Sequence, residues 1–336
     1  MKELPLGAPA TDVVLGPDGT AFALTPSTGT IYLIDSALGV TKSQRLAGNL
    51  SGMCVSPDGE SVLAIAPESR ELIVVEAKSL RVADRHKLSA EPETLAVPPP
   101  PQKGEGAKPR YVAISSGQRG AIELIDYGTG QRWHRDLDSD IGTLRFRADG
   151  QRLLAAKLKD KCISALSVPE LDPIADLPVA MKPENLCFNA DQGQLFVSGP
   201  GMDAVAIVFP YNPLDVDQTI LAGRDPGVMA CSENPAFLFV GSSTGSDVCI
   251  LNIDSRKLIG VVDTGQQPTY ITVTPDSQYA LVLSESAGTM AVIHIPDVLS
   301  NAGNPAKWRN KVTASLFTLL PVASRPLRAA VISRKA

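Results

Sequence analysis

The feature that most constrains this chain is a repeat of about 42 residues whose markers stay in phase along its length. One marker is a tight turn: Gly16-Pro17-Asp18-Gly19, Ser56-Pro57-Asp58-Gly59, Arg147-Ala148-Asp149-Gly150, Asn189-Ala190-Asp191, Ser232-Glu233-Asn234 and Thr274-Pro275-Asp276-Ser277. A second is a proline ahead of the apolar run that leads into this turn: Pro9, Pro92, Pro183, Pro226, Pro268 and Pro326. Pro17 and Pro57 are 40 residues apart, Pro183 and Pro226 are 43, and Pro226 and Pro268 are 42. A third marker ends an apolar run on an acid, as in Ile31-Tyr32-Leu33-Ile34-Asp35 and Leu72-Ile73-Val74-Val75-Glu76. The cleanest copy covers residues 267–295.

Seven copies fit, near residues 12–48, 53–89, 94–138, 143–180, 185–222, 228–264 and 270–322. Each offers four short runs of strand character and no helical period. The first three runs are apolar on both faces, as in Val205-Ala206-Ile207-Val208, so each sheet needs cover on both sides. The fourth is polar, as in Lys42-Ser43-Gln44-Arg45, which suits an edge that meets water. Four-stranded units of 40 to 45 residues that pack face to face on their neighbours define a β-propeller. The expected fold is therefore all-β: one seven-bladed β-propeller domain over residues 1–336, with four antiparallel strands per blade. Residues 325–333 have the form of one more innermost strand and residues 3–6 that of one more outermost strand, and one of these segments is expected to complete a blade from the opposite terminus. Residues 98–109, rich in Pro, Gly and Lys, read as a surface insertion between the first two strands of the third copy. Residues 296–310 read as a long link in the last copy, with Trp308 as its anchor.

Charge excludes some functions. With 31 basic and 36 acidic residues the net is −5, and no basic patch is interleaved with aromatics, so no nucleic-acid partner is expected. No apolar run reaches the ~18 residues of a membrane-spanning helix. Residues 1–9 lack the charged-then-apolar design of a secretory signal, so the protein is expected to stay inside or to have had a signal removed. The chain is expected to be a monomer. Its five cysteines, Cys54, Cys162, Cys187, Cys231 and Cys249, form no CxxC pair and sit inside apolar runs, where free cysteine acts as a small hydrophobe. Cys187 and Cys231 fall on neighbouring innermost strands, which leaves room for a buried disulfide.

The chain resembles the bacterial YVTN-type seven-bladed β-propeller repeats, which are similar in look to lactonase-type propellers. The resemblance runs from about Asp12 to Ile295. It rests on Ser56-Pro57-Asp58-Gly59, on Leu238-Phe239-Val240-Gly241 and Leu195-Phe196-Val197-Ser198 where the family has Tyr-Val-Thr-Asn, and on Ile31-Tyr32-Leu33-Ile34-Asp35. It implies the blade architecture and a periplasmic or extracellular setting.

A site is expected at the channel mouth, where loops leading into the innermost strands converge. These loops supply Asp12, Glu93, Glu184, Asn185, Arg224, Asp225 and Tyr270 as ligand-binding candidates. Asp12, Glu93, Glu184 and Asn185 offer only oxygen ligands, the set preferred by Ca²⁺ or another hard divalent cation. Two readings follow. The first is a non-catalytic binding scaffold for a protein or small-molecule ligand, without a cofactor. The second is a metal-dependent, lactonase-like hydrolase, in which the cation polarises an ester carbonyl and activates water. Gly241-Ser242-Ser243-Thr244-Gly245 matches a nucleophile-elbow pattern, but it lies between two strands, and the elbow needs a strand and a helix. His86 and His134 fall on outer strands read as exposed, and His294 on a third strand, with no nucleophile evident beside any of them.

Overall fold

In the computed structural model, residues 12–16, 20–35, 40–100, 110–211, 215–301 and 316–321 are described. They form seven sheets of four strands, each an antiparallel meander in chain order, and the fold is an all-β, seven-bladed β-propeller. The chain divides into two compact units, one up to Asp176 and one from Leu177.

The first unit carries four blades. Blade one holds β1 (Asp12–Leu15), β2 (Ala21–Thr25), β3 (Thr30–Ile34) and β4 (Val40–Arg45). Blade two holds β5 (Gly52–Val55), β6 (Ser61–Ala66), β7 (Glu71–Glu76) and β8 (Val82–Lys87). Blade three holds β9 (Thr94–Ala96), β10 (Tyr111–Ser115), β11 (Ala121–Asp126) and β12 (Arg132–Asp136). Blade four holds β13 (Ile141–Phe146), β14 (Arg152–Lys157), β15 (Cys162–Ser167) and β16 (Pro173–Pro178).

The second unit carries three. Blade five holds β17 (Asn185–Phe188), β18 (Leu195–Ser198), β19 (Ala204–Phe209) and β20 (Asp215–Leu221). Blade six holds β21 (Pro226–Cys231), β22 (Phe237–Ser242), β23 (Asp247–Asn252) and β24 (Lys257–Asp263). Blade seven holds β25 (Tyr270–Val273), β26 (Tyr279–Ser284), β27 (Thr289–His294) and β28 (Leu316–Pro321).

The two-faced apolar pattern is what the packing requires. On β6, Val62 and Ala64 join Phe22, Leu24 and Ile31 of blade one. The intervening Leu63 and Ile65 join Val112, Ile114 and Ile125 of blade three. In the second unit, Leu238 and Val240 of β22 pack with Phe196, Val205 and Ile207 of blade five. Phe237 and Phe239 of the same strand pack with Ile271, Ala280 and Val282 of blade seven. Each large side chain removed from water in this way contributes roughly 1.5–3 kcal/mol. Outer strands behave as edges, and every residue of β4 is exposed.

The recurring Asp turn has a physical cause. In blade two, Ser56 Oγ donates to Asp58 Oδ1 at 2.5 Å and accepts from Ser61 N at 2.9 Å, while Gly59 takes φ +73°. Blade seven repeats it: Thr274 Oγ1 donates to Asp276 Oδ1 at 2.5 Å and Tyr279 N donates to Thr274 Oγ1 at 3.0 Å. Such side chains replace backbone partners and so close the turn locally. Burial opposes ionisation of Asp58, but bonds from Ser56 Oγ and Glu60 N, with the Arg110 charge, outweigh it and hold the carboxyl below its usual range.

Three expectations need adjustment. Blades four and six begin at Ile141 and Pro226, two residues before the expected starts near Thr143 and Val228, and their first ladders are irregular between Ile141 and Leu144 and between Pro226 and Met229. The link in blade seven includes a short helix, α1 (Ile295–Asn301), where helix was not expected. Pro296 suits a first helical turn, Asp297 favours its positive end, and Ile295 and Val298 are buried in the apolar cluster shared by blades six and seven. His86 is also buried, at 6% exposure, although β8 is an outer strand whose other residues are half-buried or exposed; it pairs with fully buried Leu72 of β7. Residues 3–6, 101–109 and 325–333, and Trp308, lie outside the described residues.

Candidate functional site

The loops that lead into the innermost strands are held by hydrogen bonds to the loops and strand ends beside them. In the first unit, Glu93 precedes β9 and its N–H donates to Ser115 O at 2.8 Å. The Glu93 side chain is exposed, and its carboxylate lies over Gly117, where φ is +40° and an added Cβ would fall 1.8 Å from Oε2. Glycine at 117 is therefore what lets that carboxylate sit there. Beside it, Thr94 and Ser115 share a hydroxyl bond of 2.7 Å. A cleft lined in part by Pro92, Ser115 and Glu123 holds about 10 Å³, room for no more than one water. Asp12 opens β1, and its side chain lies outside the described residues.

In the second unit, Glu184 N donates to Lys182 O at 2.8 Å and to Ser198 O at 3.1 Å, and Lys182 Nζ donates to Glu184 Oε1 at 2.9 Å. Asn185 follows, paired with Ser198 at the start of β17. Ser198 Oγ, fully buried, donates to Gly227 O at 2.5 Å and so ties blade five to blade six. Arg224 is exposed, and its carbonyl accepts from Ser242 Oγ at 3.0 Å. Asp225 stands at φ +46°, with its N–H bonded to Asp203 Oδ1 at 3.1 Å. Its carbonyl accepts from Ser243 N at 2.8 Å and Ser243 Oγ at 3.0 Å, and its Oδ2 accepts from Thr244 Oγ1 at 2.7 Å. Tyr270 opens β25 opposite Leu283 and is half-buried.

The candidates thus come together as two sequence-adjacent pairs, Glu184 with Asn185 and Arg224 with Asp225. The residues that hold them, Lys182, Asp203, Ser243, Thr244 and Gly117, were not anticipated. Part of the signal was present in Gly241-Ser242-Ser243-Thr244-Gly245. That string runs from the end of β22 into the turn before β23, and Ser242 Oγ accepts from Gly245 N at 2.9 Å. Its hydroxyls clamp Arg224 and Asp225, so it serves as a brace for the loop. Among the described residues, no three Asp, Glu, His or Cys side chains are grouped closely enough to hold a metal ion.

Each histidine has an aspartate neighbour. His86 Nε2 lies 3.5 Å from Asp84, His134 Nε2 3.0 Å from Asp136, and His294 Nδ1 3.0 Å from Asp297. Burial pushes the His86 pKa down, with Arg132 adding to the effect and Asp84 opposing it. All of the cysteines are free thiols, and Cys187 and Cys231 bring their sulfurs to 3.7 Å.

Comparison with known proteins finds the fold and leaves the family open. No protein-family model and no curated protein sequence matches the chain. Among solved structures, a dihydro-heme d1 dehydrogenase, NirN, in complex with DHE aligns with a TM-score of 0.71 at 13% identity, over 86% of this chain. This chain spans 65% of that protein's length. Hydrazine synthase of Kuenenia stuttgartiensis aligns with a TM-score of 0.64 at 17% identity, over 84% of this chain and 94% of that one. The β-propeller domain of Cps50 (Swd1) from Myceliophteria thermophila aligns with a TM-score of 0.69 at 12% identity, over 88% and 98%. At these identities the likeness is one of fold: the chain is similar to β-propellers whose roles differ widely.

Proposed function

We propose that the chain is a non-catalytic binding propeller, with a small ligand or a protein partner received by the loops that lead into the innermost strands. One observation carries this reading: in the second unit, exposed Glu184 and Arg224 project from backbone pinned by bonds such as Glu184 N to Ser198 O and Ser242 Oγ to Arg224 O. Pinned loops with exposed charges of both signs offer preorganised recognition at small entropic cost. The likeness to bacterial YVTN-type repeats supports the blade architecture and says little about chemistry.

The second reading, a metal-dependent lactonase-like hydrolase using Asp12, Glu93, Glu184 and Asn185, draws support from the matched acids that follow Pro92 and Pro183. Against it stands the engagement of Glu184 by Lys182 at 2.9 Å, which a cation would have to displace.

A thermal-shift screen of small ligands and charged peptides tests the proposal. Compounds that raise the melting temperature of the wild type should do so less in Arg224→Ala and Glu184→Ala, whose own melting temperatures stay near the wild type because both side chains are exposed. Hits that act equally on the wild type and on both variants would refute a role for these loops.

A further inference from the structure

We propose that Cys187 and Cys231 form a redox-convertible pair, closing on oxidation into a disulfide that staples blade five to blade six. Cys187 lies on β17 opposite Phe196, and Cys231 ends β21 opposite Leu238. The two strands are the innermost of neighbouring blades in one unit. Their sulfurs stand 3.7 Å apart, and a disulfide needs about 2.05 Å, a gap that side-chain rotation can close. Both thiols are half-buried beside Phe196, Met229 and Leu238. This inference does not depend on the binding reading, because it uses neither the Glu184 nor the Arg224 side chain.

The chemistry balances with a small linear disulfide, such as oxidised glutathione, as the oxidant. The Cys187 thiolate attacks one of its sulfurs, breaks the S–S bond and releases one thiol, leaving a mixed disulfide on Cys187. The Cys231 thiolate then attacks the Cys187 sulfur and releases the second thiol. Two protein thiols lose two electrons and two protons, and the small disulfide gains them. The hydrogen bond to Cys187 and its own burial both hold the Cys231 thiol protonated in the reduced pair, and the same two steps balance with the roles of the two thiols exchanged. The staple would close a loop whose ends are 44 residues apart.

The test uses the full, reduced chain incubated with oxidised glutathione. The thiol count after denaturation should fall by two from the five that the sequence contains. Mass should drop by two hydrogens, and a chymotryptic digest should join the Cys187 and Cys231 peptides. The melting temperature should rise by about 5 °C and return with dithiothreitol. Cys187→Ser and Cys231→Ser should each abolish the linkage. Persistence of all thiols, or glutathione adducts and intermolecular bridges in place of the Cys187–Cys231 link, would overturn the proposal. If a serine variant fails to fold, the peptide map of the wild type decides alone.

Discussion

Replacing two consecutive residues of β6 distinguishes a two-faced blade from an ordinary sheet. Val62 and Leu63 are both 0% exposed. Val62 packs with Phe22, Leu24 and Ile31 on one side, and Leu63 with Val112, Ile114 and Ile125 on the other. Each buried methylene is worth about 0.8 kcal/mol, and the residual cavity adds to this. Leu63→Ala should therefore cost about 3 kcal/mol and Val62→Ala about 2 kcal/mol. Lys42→Ala, on exposed β4, should stay within about 0.5 kcal/mol of the wild type. Urea unfolding followed by circular dichroism reads the difference as a shift in midpoint at constant slope. If either core variant behaves like Lys42→Ala, one face of blade two is open to water and the packing described above is wrong.

Two other predictions rest on single residues. Gly199 stands at φ +154°, and a Cβ there would fall 1.9 Å from Lys182 O, so Gly199→Ala should cost about 1–3 kcal/mol, read as a lowered melting temperature. His86 has a depressed pKa when folded, so its neutral form is favoured by the native state. The stability it supports is present above the usual value of about 6.5 and is lost as pH falls from there toward the folded pKa. The stability difference between wild type and His86→Phe should therefore shift in favour of the variant between pH 7.5 and pH 5.5, and a constant difference would refute this.

Much of the fold was legible because its signals are local. Ser56, Asp58, Thr274 and Asp276 announce turns through bonds that close within five residues. Consecutive apolar residues such as Val62 and Leu63 announce cover on both faces. What escaped depended on distant parts of the chain. His86 lies on a strand that reads as polar, and only the folded structure shows that this one residue of the strand is buried. Helix α1 occurs once, so no repeat flagged it. At the loops, the candidates themselves were visible, since Glu93 and Glu184 follow the marker prolines. Their anchors were not: Ser243 and Thr244 reach back 18 and 19 residues to Asp225, a pairing that only the folded hairpins create.

The choice between binding and catalysis is tested most directly by lactone hydrolysis measured with and without Ca²⁺, Mg²⁺ and Mn²⁺, alongside melting temperature in the same samples. A binding propeller should show no turnover above the uncatalysed rate and no ion-dependent change in melting temperature. Ion-dependent hydrolysis, together with a stabilising shift that disappears in Glu93→Gln and Glu184→Gln, would contradict the account.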